Sequence, residues 1–176
     1  MSEYVDLVIL VDSRDDMMSF RQAVIDGFNA VISTEMKYPA KVTTVLFGTE
    51  CHLRDDRVDI KDAKPLNDYY PDGDYSFNSA IKWVANHFLN IIEAVNNHNR
   101  EVEAIKKGET WLLPKGIILY IIAGNEEELD PDTEELIKKL REICGWRVFY
   151  HGHYANNSEY LDTKGIKEAL NKDWDK

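Results

Sequence analysis

The chain has few of the features that define large classes of protein. Its two cysteines, Cys51 and Cys144, lie far apart and outside any CxxC or Cys/His spacing, which predicts reduced thiols instead of a disulfide framework or a zinc site. No apolar run approaches the length of a membrane span, and the N-terminus carries Glu3 and Asp6 where a signal peptide would carry basic residues. We therefore expect a cytoplasmic protein.

Positive charge is scarce as well. The 21 lysines and arginines are outnumbered by 32 aspartates and glutamates, which gives a formal net charge of −11. A chain with this average field repels phosphate backbones and anionic lipid. The composition thus predicts that neither a nucleic acid nor a membrane is the partner.

Catalytic motifs are also missing. The sequence contains no Gly-x-Ser-x-Gly, no P-loop, no Gly-x-Gly-x-x-Gly and no His-Glu-x-x-His. No nucleophile, phosphate cradle or zinc pair is therefore indicated. We expect a non-catalytic protein without a cofactor.

The pattern that is present is that of one α/β domain over residues 1–176. Short apolar runs alternate with longer helical periods, as in parallel strands joined by crossover helices. Strands are predicted at Val5–Val11, Val42–Phe47, Gly116–Ile122 and Trp146–Tyr150, with a short edge strand at Cys51–Leu53 and an irregular segment at Val58–Leu66. Val5–Val11 and Gly116–Ile122 are the most apolar runs and should lie side by side at the centre of the sheet.

Apolar residues at spacings of three and four predict the helices. The first should begin at Asp16, with Asp15 or Asp16 as its N-cap. A long helix should begin near Phe77, capped by Ser76 or Asp74, and fray over residues 96–99. Two more are predicted, one opening at Pro131 and a short terminal one at Ile166–Leu170.

Three loops should meet at one edge of this sheet. Ligands of open parallel sheets bind outside the carboxyl ends of the strands. The loop after Val11, the loop before the long helix and the loop after Ile122 all lie at that edge in the predicted topology. This edge is the expected functional site.

Motifs in and around these loops resemble those of the von Willebrand factor A (vWA) family. Asp6–Met17 resembles the family's first strand running into Asp-x-Ser-x-Ser-Met, and Phe47-Gly48 ends a strand as its Phe-Ser or Phe-Gly does. Tyr70-Pro-Asp-Gly73, followed by Ala80-Ile81, resembles Pro-x-Gly-Gly-Thr-x-x-x-x-Ala-Ile, and Gly145-Trp146 looks like a bacterial and phage branch. The resemblance runs from Val5 to about Leu170. It implies a vWA/Rossmann-like three-layer sandwich, with a mainly parallel doubly wound sheet flanked by helices.

The vWA family binds a divalent cation through oxygen ligands on these loops, and the resemblance implies that this chain has replaced most of them. Asp12 matches the first aspartate, but Arg14 and Asp16 stand at the two serines, Tyr75 at the threonine and Ala123 at the final aspartate. An arginine beside the one retained ligand would repel a divalent cation. We therefore expect a degenerate metal-ion-dependent adhesion site and no bound metal.

Arg14 itself suggests what replaces the ion. Its guanidinium stands close in sequence to Asp12, Asp15 and Asp16, and arginine forms bidentate contacts with carboxylates. The alternative is that Asp15 and Asp16 only cap a helix and that Arg14 points elsewhere.

Three further features are weaker. His151-Gly-His153 places two imidazoles on one side of an extended strand, but the spacing supplies no third metal ligand. The run Glu126–Glu128 is typical of a solvated acidic face at a helix N-terminus. Trp111, before Pro114, is the best candidate for an exposed interface anchor.

These observations predict a metal-independent protein-binding or assembly module. Its contact residues would come from the three loops, namely Asp12, Arg14, Asp16, Tyr75, Ser76 and Asn125. Two alternatives remain. In one, Asp12, Asp16 and Asp74 still hold an ion that binds a partner's carboxylate. In the other, the chain is a hydrolase that uses Asp12 with His151 or His153.

Overall fold

A twisted β-sheet organises the chain in the computed structural model, which describes residues 4–113, 116–124, 127–144 and 152–154. Five strands are described, in the order β3-β2-β1-β4-β5. They are β1 (Val5–Asp12), β2 (Ala40–Phe47), β3 (Cys51–Asp59), β4 (Ile117–Ala123) and β5 (Gly152–Tyr154). All neighbouring pairs are parallel except β2 and β3, which are antiparallel.

The most apolar strands lie at the centre, as the sequence predicts. Every residue of β1 and of β4 is buried, because helices cover both faces of a parallel sheet. The two strands pair in register from Asp6 opposite Ile117 to Val11 opposite Ile122. Their predicted adjacency is confirmed, and each has a further strand on its other side.

Helices cover both faces of the sheet. Helix α1 (Arg21–Glu35) packs against one face through Val24 and Phe28. Helix α2 (Phe77–Ile105) and helix α3 (Pro131–Cys144) share the other core. The predicted three-layer α/β sandwich is therefore confirmed. Among the described residues, no helix is both long enough and apolar enough to cross a membrane.

The segment after β1 differs from the prediction. The first α-helix begins at Arg21 and not at Asp16, and a 3-10 helix occupies Asp15–Phe20. No side chain caps that 3-10 helix. The Asp15 carboxylate accepts a hydrogen bond from the backbone N–H of Gly73, at 2.9 Å, and so ties this segment to the loop before α2.

Helix α2 also differs, because it continues to Ile105 through the predicted frayed segment. Contacts from beyond the helix hold its polar end. The Asn99 side chain bonds both the N–H and the carbonyl oxygen of Trp111, at 2.7 and 2.9 Å, and the His98 ring stacks on the Trp111 indole at 3.6 Å. At the other end, the predicted cap is confirmed, since Ser76 Oγ accepts from the N–H of Ser79 at 3.3 Å.

Of the remaining predictions, one is corrected, one is confirmed and two concern segments outside the described residues. The edge strand β3 continues to Asp59, well past the predicted Cys51–Leu53, and takes in the start of the segment expected to be irregular. The helix opening at Pro131 is confirmed. The strand predicted at 146–150 and the helix predicted at 166–170 lie outside the described residues.

Candidate functional site

The candidate site lies at the carboxyl edge of the sheet, where β1, β2 and β4 end. Asp12 is the last residue of β1, and it pairs with Phe47, the last residue of β2. The loop after β1 turns away directly beyond it, and the backbone N–H of Arg14 donates to Asp12 Oδ1 at 3.0 Å. A short polar turn therefore follows a fully buried strand.

The guanidinium of Arg14 lies across the carboxylate of Asp12. Arg14 Nε donates to Asp12 Oδ1 at 3.0 Å, and Nη2 donates to Oδ2 at 2.8 Å. The contact is bidentate, the strongest form of this ion pair. The Asp12 side chain is only 2% exposed and that of Arg14 is 18% exposed, so the pair is largely withdrawn from water.

A second carboxylate and an aromatic ring complete the surroundings of Arg14. Glu127, in the loop after β4, accepts from Arg14 Nη2 at 2.6 Å. The guanidinium carbon also lies 5.1 Å from the centre of the Phe47 ring, within reach of a cation–π contact. The hydrogen bonds to Asp12 raise the pKa of Arg14 above its usual value, despite burial. Arg14 is thus a fixed cation that joins the loops after β1 and β4.

Tyr69 supports the same turn from within the core. Its fully buried hydroxyl group donates to the carbonyl oxygen of Asp12. Arg21 Nε donates to the carbonyl oxygen of Tyr69 at 2.7 Å, so helix α1 holds this segment. Burial raises the pKa of Tyr69, and the charges of Asp12 and Asp16 raise it further. The phenol therefore stays protonated and serves as a donor.

Two glycines allow the loops to approach one another closely. A Cβ on Gly48 would lie 2.6 Å from the carbonyl oxygen of Ser13, which is too close for any side chain. Gly73 has a φ of +94°, a conformation that favours glycine. The Asp72 N–H donates to the carbonyl oxygen of Ser13 at 2.7 Å, and the Asp15 N–H donates to that of Gly73 at 2.8 Å. The loop before α2 is therefore fixed against the loop after β1.

Apart from Asp12, the predicted contact residues that the structure describes do not join Arg14 in one cluster. Asp16 is exposed to solvent. Tyr75 packs against the core on the α2 side and shares a hydrogen bond with Cys51, and burial raises the pKa of that thiol. Ser76 caps α2. Asn125 lies outside the described residues.

The residues of the two alternative hypotheses, the retained ion and the hydrolase, are also placed only in part. Asp74 is exposed, His151 lies outside the described residues, and His153 lies in β5. Among the described residues, no group of three or more histidine, cysteine, aspartate or glutamate side chains is arranged to hold a metal ion.

Glu127 is the residue that sequence reasoning missed. It belongs to the acidic run that was expected to be solvated, but its carboxylate is bonded to Arg14. It lies 113 residues from Arg14, and no local pattern distinguishes it from its neighbours. Only the topological convergence of the loops after β1 and β4 could have indicated the contact.

No protein-family model matches the sequence, and no curated protein is significantly similar to it. Solved structures do match. The manganese-loaded TRAP protein of Plasmodium vivax has a TM-score of 0.55 and 17% identity, with 85% of this chain and 57% of that chain covered.

Two further structures have lower TM-scores. Proximal thread matrix protein 1 of the mussel byssus gives 0.45 at 12% identity, with 85% of this chain and 35% of that chain covered. An aerotolerance-related membrane protein from Bacteroides fragilis, with multiple mutations to serines, gives 0.47 at 12% identity, with 94% and 84% covered.

At such identities the likeness concerns the fold alone, and this chain spans little more than half of the TRAP chain. The strand order, the parallel pairing of β1 with β2 and β4, and the helices on both faces agree with that likeness. The chain has a vWA-like, Rossmann-like α/β fold.

Proposed function

We propose that the chain is a metal-independent, non-catalytic protein-binding or assembly module of vWA type, belonging to a bacterial or phage branch and working in the cytoplasm. The observation that carries the proposal is the position of Arg14. Its guanidinium engages both carboxylate oxygens of Asp12, the one residue that matches a ligand of the family's ion site.

The residues at this edge do not fit a divalent cation. Such ions take six or more oxygen ligands, or keep waters around one or two carboxylates. Both Asp12 oxygens already accept from Arg14, and Ala123 supplies no side-chain oxygen. A cation there would also meet a guanidinium held in place by Glu127, and like charges at short range repel strongly.

Partner contacts would then come from side chains. A metal bridge to the partner is not needed for this, because exposed aromatic and apolar side chains are common anchors of protein interfaces. Met18, in the 3-10 helix after β1, and Tyr70, in the loop before α2, are large exposed side chains, with exposed Asp16 close to Met18 in the sequence. The proposed interface combines these apolar groups with acidic neighbours.

Millimolar Mg²⁺ or Mn²⁺ should leave the melting temperature essentially unchanged. A site occupied at a hundred times its dissociation constant would add about 2.7 kcal/mol to the free energy of unfolding, which a thermal melt detects easily. The measurement is a melt with each ion against a melt in EDTA. A rise of several degrees that disappears in Asp12→Asn would show that a metal site persists through substituted ligands.

A variant that restores the family's ligands provides the positive control. Arg14→Ser, Asp16→Ser, Tyr75→Thr and Ala123→Asp together should create Mg²⁺-dependent stabilisation, since Gly73 and Gly124 are retained. Circular dichroism checks that the variant folds. A folded variant without a Mg²⁺ response would contradict the view that side chains alone removed the site.

Partner capture should be independent of metal and dependent on the exposed loop residues. Tagged chain incubated with lysate of its native host should retain the same proteins in EDTA and in Mg²⁺. Met18→Ala with Tyr70→Ala should weaken this retention at least about thirtyfold, because anchor residues contribute about 2 kcal/mol or more. Trp111→Ala removes another exposed aromatic side chain, in the segment after α2, and is the control. Release of partners by EDTA, or loss only in the Trp111 variant, would overturn the proposal.

A further inference from the structure

A cavity opens beside the Arg14 turn, between the ends of β1 and β2 and the loop before α2. Its volume is about 230 Å³, and its lining includes Ser13, Glu50, Asp68, Tyr70 and Asp72. Pockets for small-molecule ligands usually measure about 300–1,000 Å³. The size of this cavity suits a single side chain better than a metabolite.

The rim of the cavity is negatively charged. Asp68 forms an ion pair with Arg54 at 3.4 Å but remains largely exposed, and within the described ranges neither Glu50 nor Asp72 has a basic partner. Arg14, which follows Ser13 in the chain, is already engaged by Asp12 and Glu127. The rim therefore attracts a cation from outside the molecule.

Ser13 provides an observation independent of the rim charges. It is only 8% exposed, and it lines the cavity. Its N–H donates to Phe47 and its carbonyl oxygen accepts from Asp72, whereas its hydroxyl group has no hydrogen-bond partner in the part of the chain that the structure describes. Because Ser13 lines the cavity, its hydroxyl oxygen can accept a hydrogen bond from a ligand N–H.

Tyr70 shows which kind of cation the cavity favours. Its ring is 71% exposed, and the guanidinium of Arg21 lies 4.8 Å from the ring centre. The phenol ring thus already accepts one guanidinium and has free surface for a second group. Planar guanidinium stacks on aromatic rings and donates several hydrogen bonds at once.

We propose that this cavity binds a basic side chain, preferably arginine, from a partner protein. The inference rests on the proposed partner-binding function and gives its partner a charge. Glu50 and Asp72 pair with the cation, Ser13 Oγ accepts one of its N–H groups, and Tyr70 covers it. The edge of the sheet therefore selects a cation from its partner instead of a carboxylate.

The test is an NMR titration of the ¹⁵N-labelled full chain, in EDTA, with blocked Gly-Arg-Gly peptide and with blocked Gly-Glu-Gly peptide. Only the arginine peptide should shift the amide signals of Ser13, Gly48 and Asp72. Glu50→Gln with Asp72→Asn should weaken this binding about tenfold, equivalent to about 1.4 kcal/mol. Glu93→Gln with Glu101→Gln makes the same charge change on exposed positions of α2 and should change the affinity less than about twofold.

Equal weakening by both pairs of substitutions would mean that the peptide senses only the overall acidic field, and the proposal would fail. Shifts spread over other acidic surfaces, or equal binding of the glutamate peptide, would also overturn it. These failures differ from a failure of the proposed function. A Mg²⁺-stabilised chain that still binds the arginine peptide would refute metal independence alone, and a metal-indifferent chain that ignores the peptide would refute the cavity alone.

Discussion

Arg14→Ala should lower the free energy of unfolding by about 3 kcal/mol. Removing one member of a buried ion pair costs about 3–5 kcal/mol because its partner stays buried without compensation. Asp12 has a 2% exposed side chain and would be that partner. The lower end of the range applies because Arg14 itself keeps some contact with water and Glu127 is more exposed. Denaturant melts of the variant and the parent measure the difference.

Two companion variants identify the cause of that loss. Asp12→Asn combined with Arg14→Ala removes the uncompensated charge, so the double variant should be more stable than Arg14→Ala alone. Arg100→Ala removes an exposed arginine of α2 and should change stability by no more than about 0.5 kcal/mol. If Arg14→Ala behaved like Arg100→Ala, the guanidinium would have no structural role at the carboxyl edge.

The central architecture could be predicted because its determinants are local. The apolar runs of β1 and β4 reflect burial on both faces. Ser76 was identifiable as a cap, and Pro131 as a first-turn residue, from their own positions in the sequence. The pairing of Arg14 with Asp12 was foreseeable as well, since the two residues are only two positions apart.

The remaining features depend on contacts between distant segments. Asp15 could have been an N-cap, but its carboxylate accepts a hydrogen bond from the N–H of Gly73, a residue far away in the sequence. The polar end of α2 would fray if Trp111 did not return to Asn99 and His98. Local propensity is a weak guide wherever tertiary contacts of this kind compete with it.

A second ion pair, near the opposite end of strand β1, is about as buried as the Arg14 pair. Asp6 is fully buried, and it accepts from Arg57 Nε at 2.9 Å and from Nη2 at 3.2 Å. Arg57 also donates to the Tyr4 hydroxyl group at 2.7 Å. Its backbone has a φ of +52° and lies where the register of β2 and β3 is irregular. This pair therefore anchors the edge strand to the centre of the sheet.

Arg57→Met should lower the free energy of unfolding at pH 7 by about 3–5 kcal/mol, because it leaves the Asp6 carboxylate buried without a cation. Arg100→Met is the matched control, at an exposed position, and should be nearly neutral. Asp6→Asn combined with Arg57→Met should recover part of the loss, since no charge then remains buried. Urea melts of the four proteins provide the comparison, and a loss from Arg57→Met as small as that of the control would contradict it.

The loss caused by Arg57→Met should also shrink as the pH falls. Burial raises the pKa of Asp6 above its ordinary value of 3.8, and Arg57 opposes that rise, so the variant's pKa should be higher still. A carboxyl group with a raised pKa binds its proton more tightly in the folded state, and stability therefore decreases as the pH rises from 3.8 towards the folded pKa. Lowering the pH from 7 protonates Asp6 in folded Arg57→Met before it protonates the same group in the parent. The gap between variant and parent should consequently be smaller at pH 5 than at pH 7. The double variant with Asp6→Asn should lack this pH dependence, because it has no carboxyl group at that position.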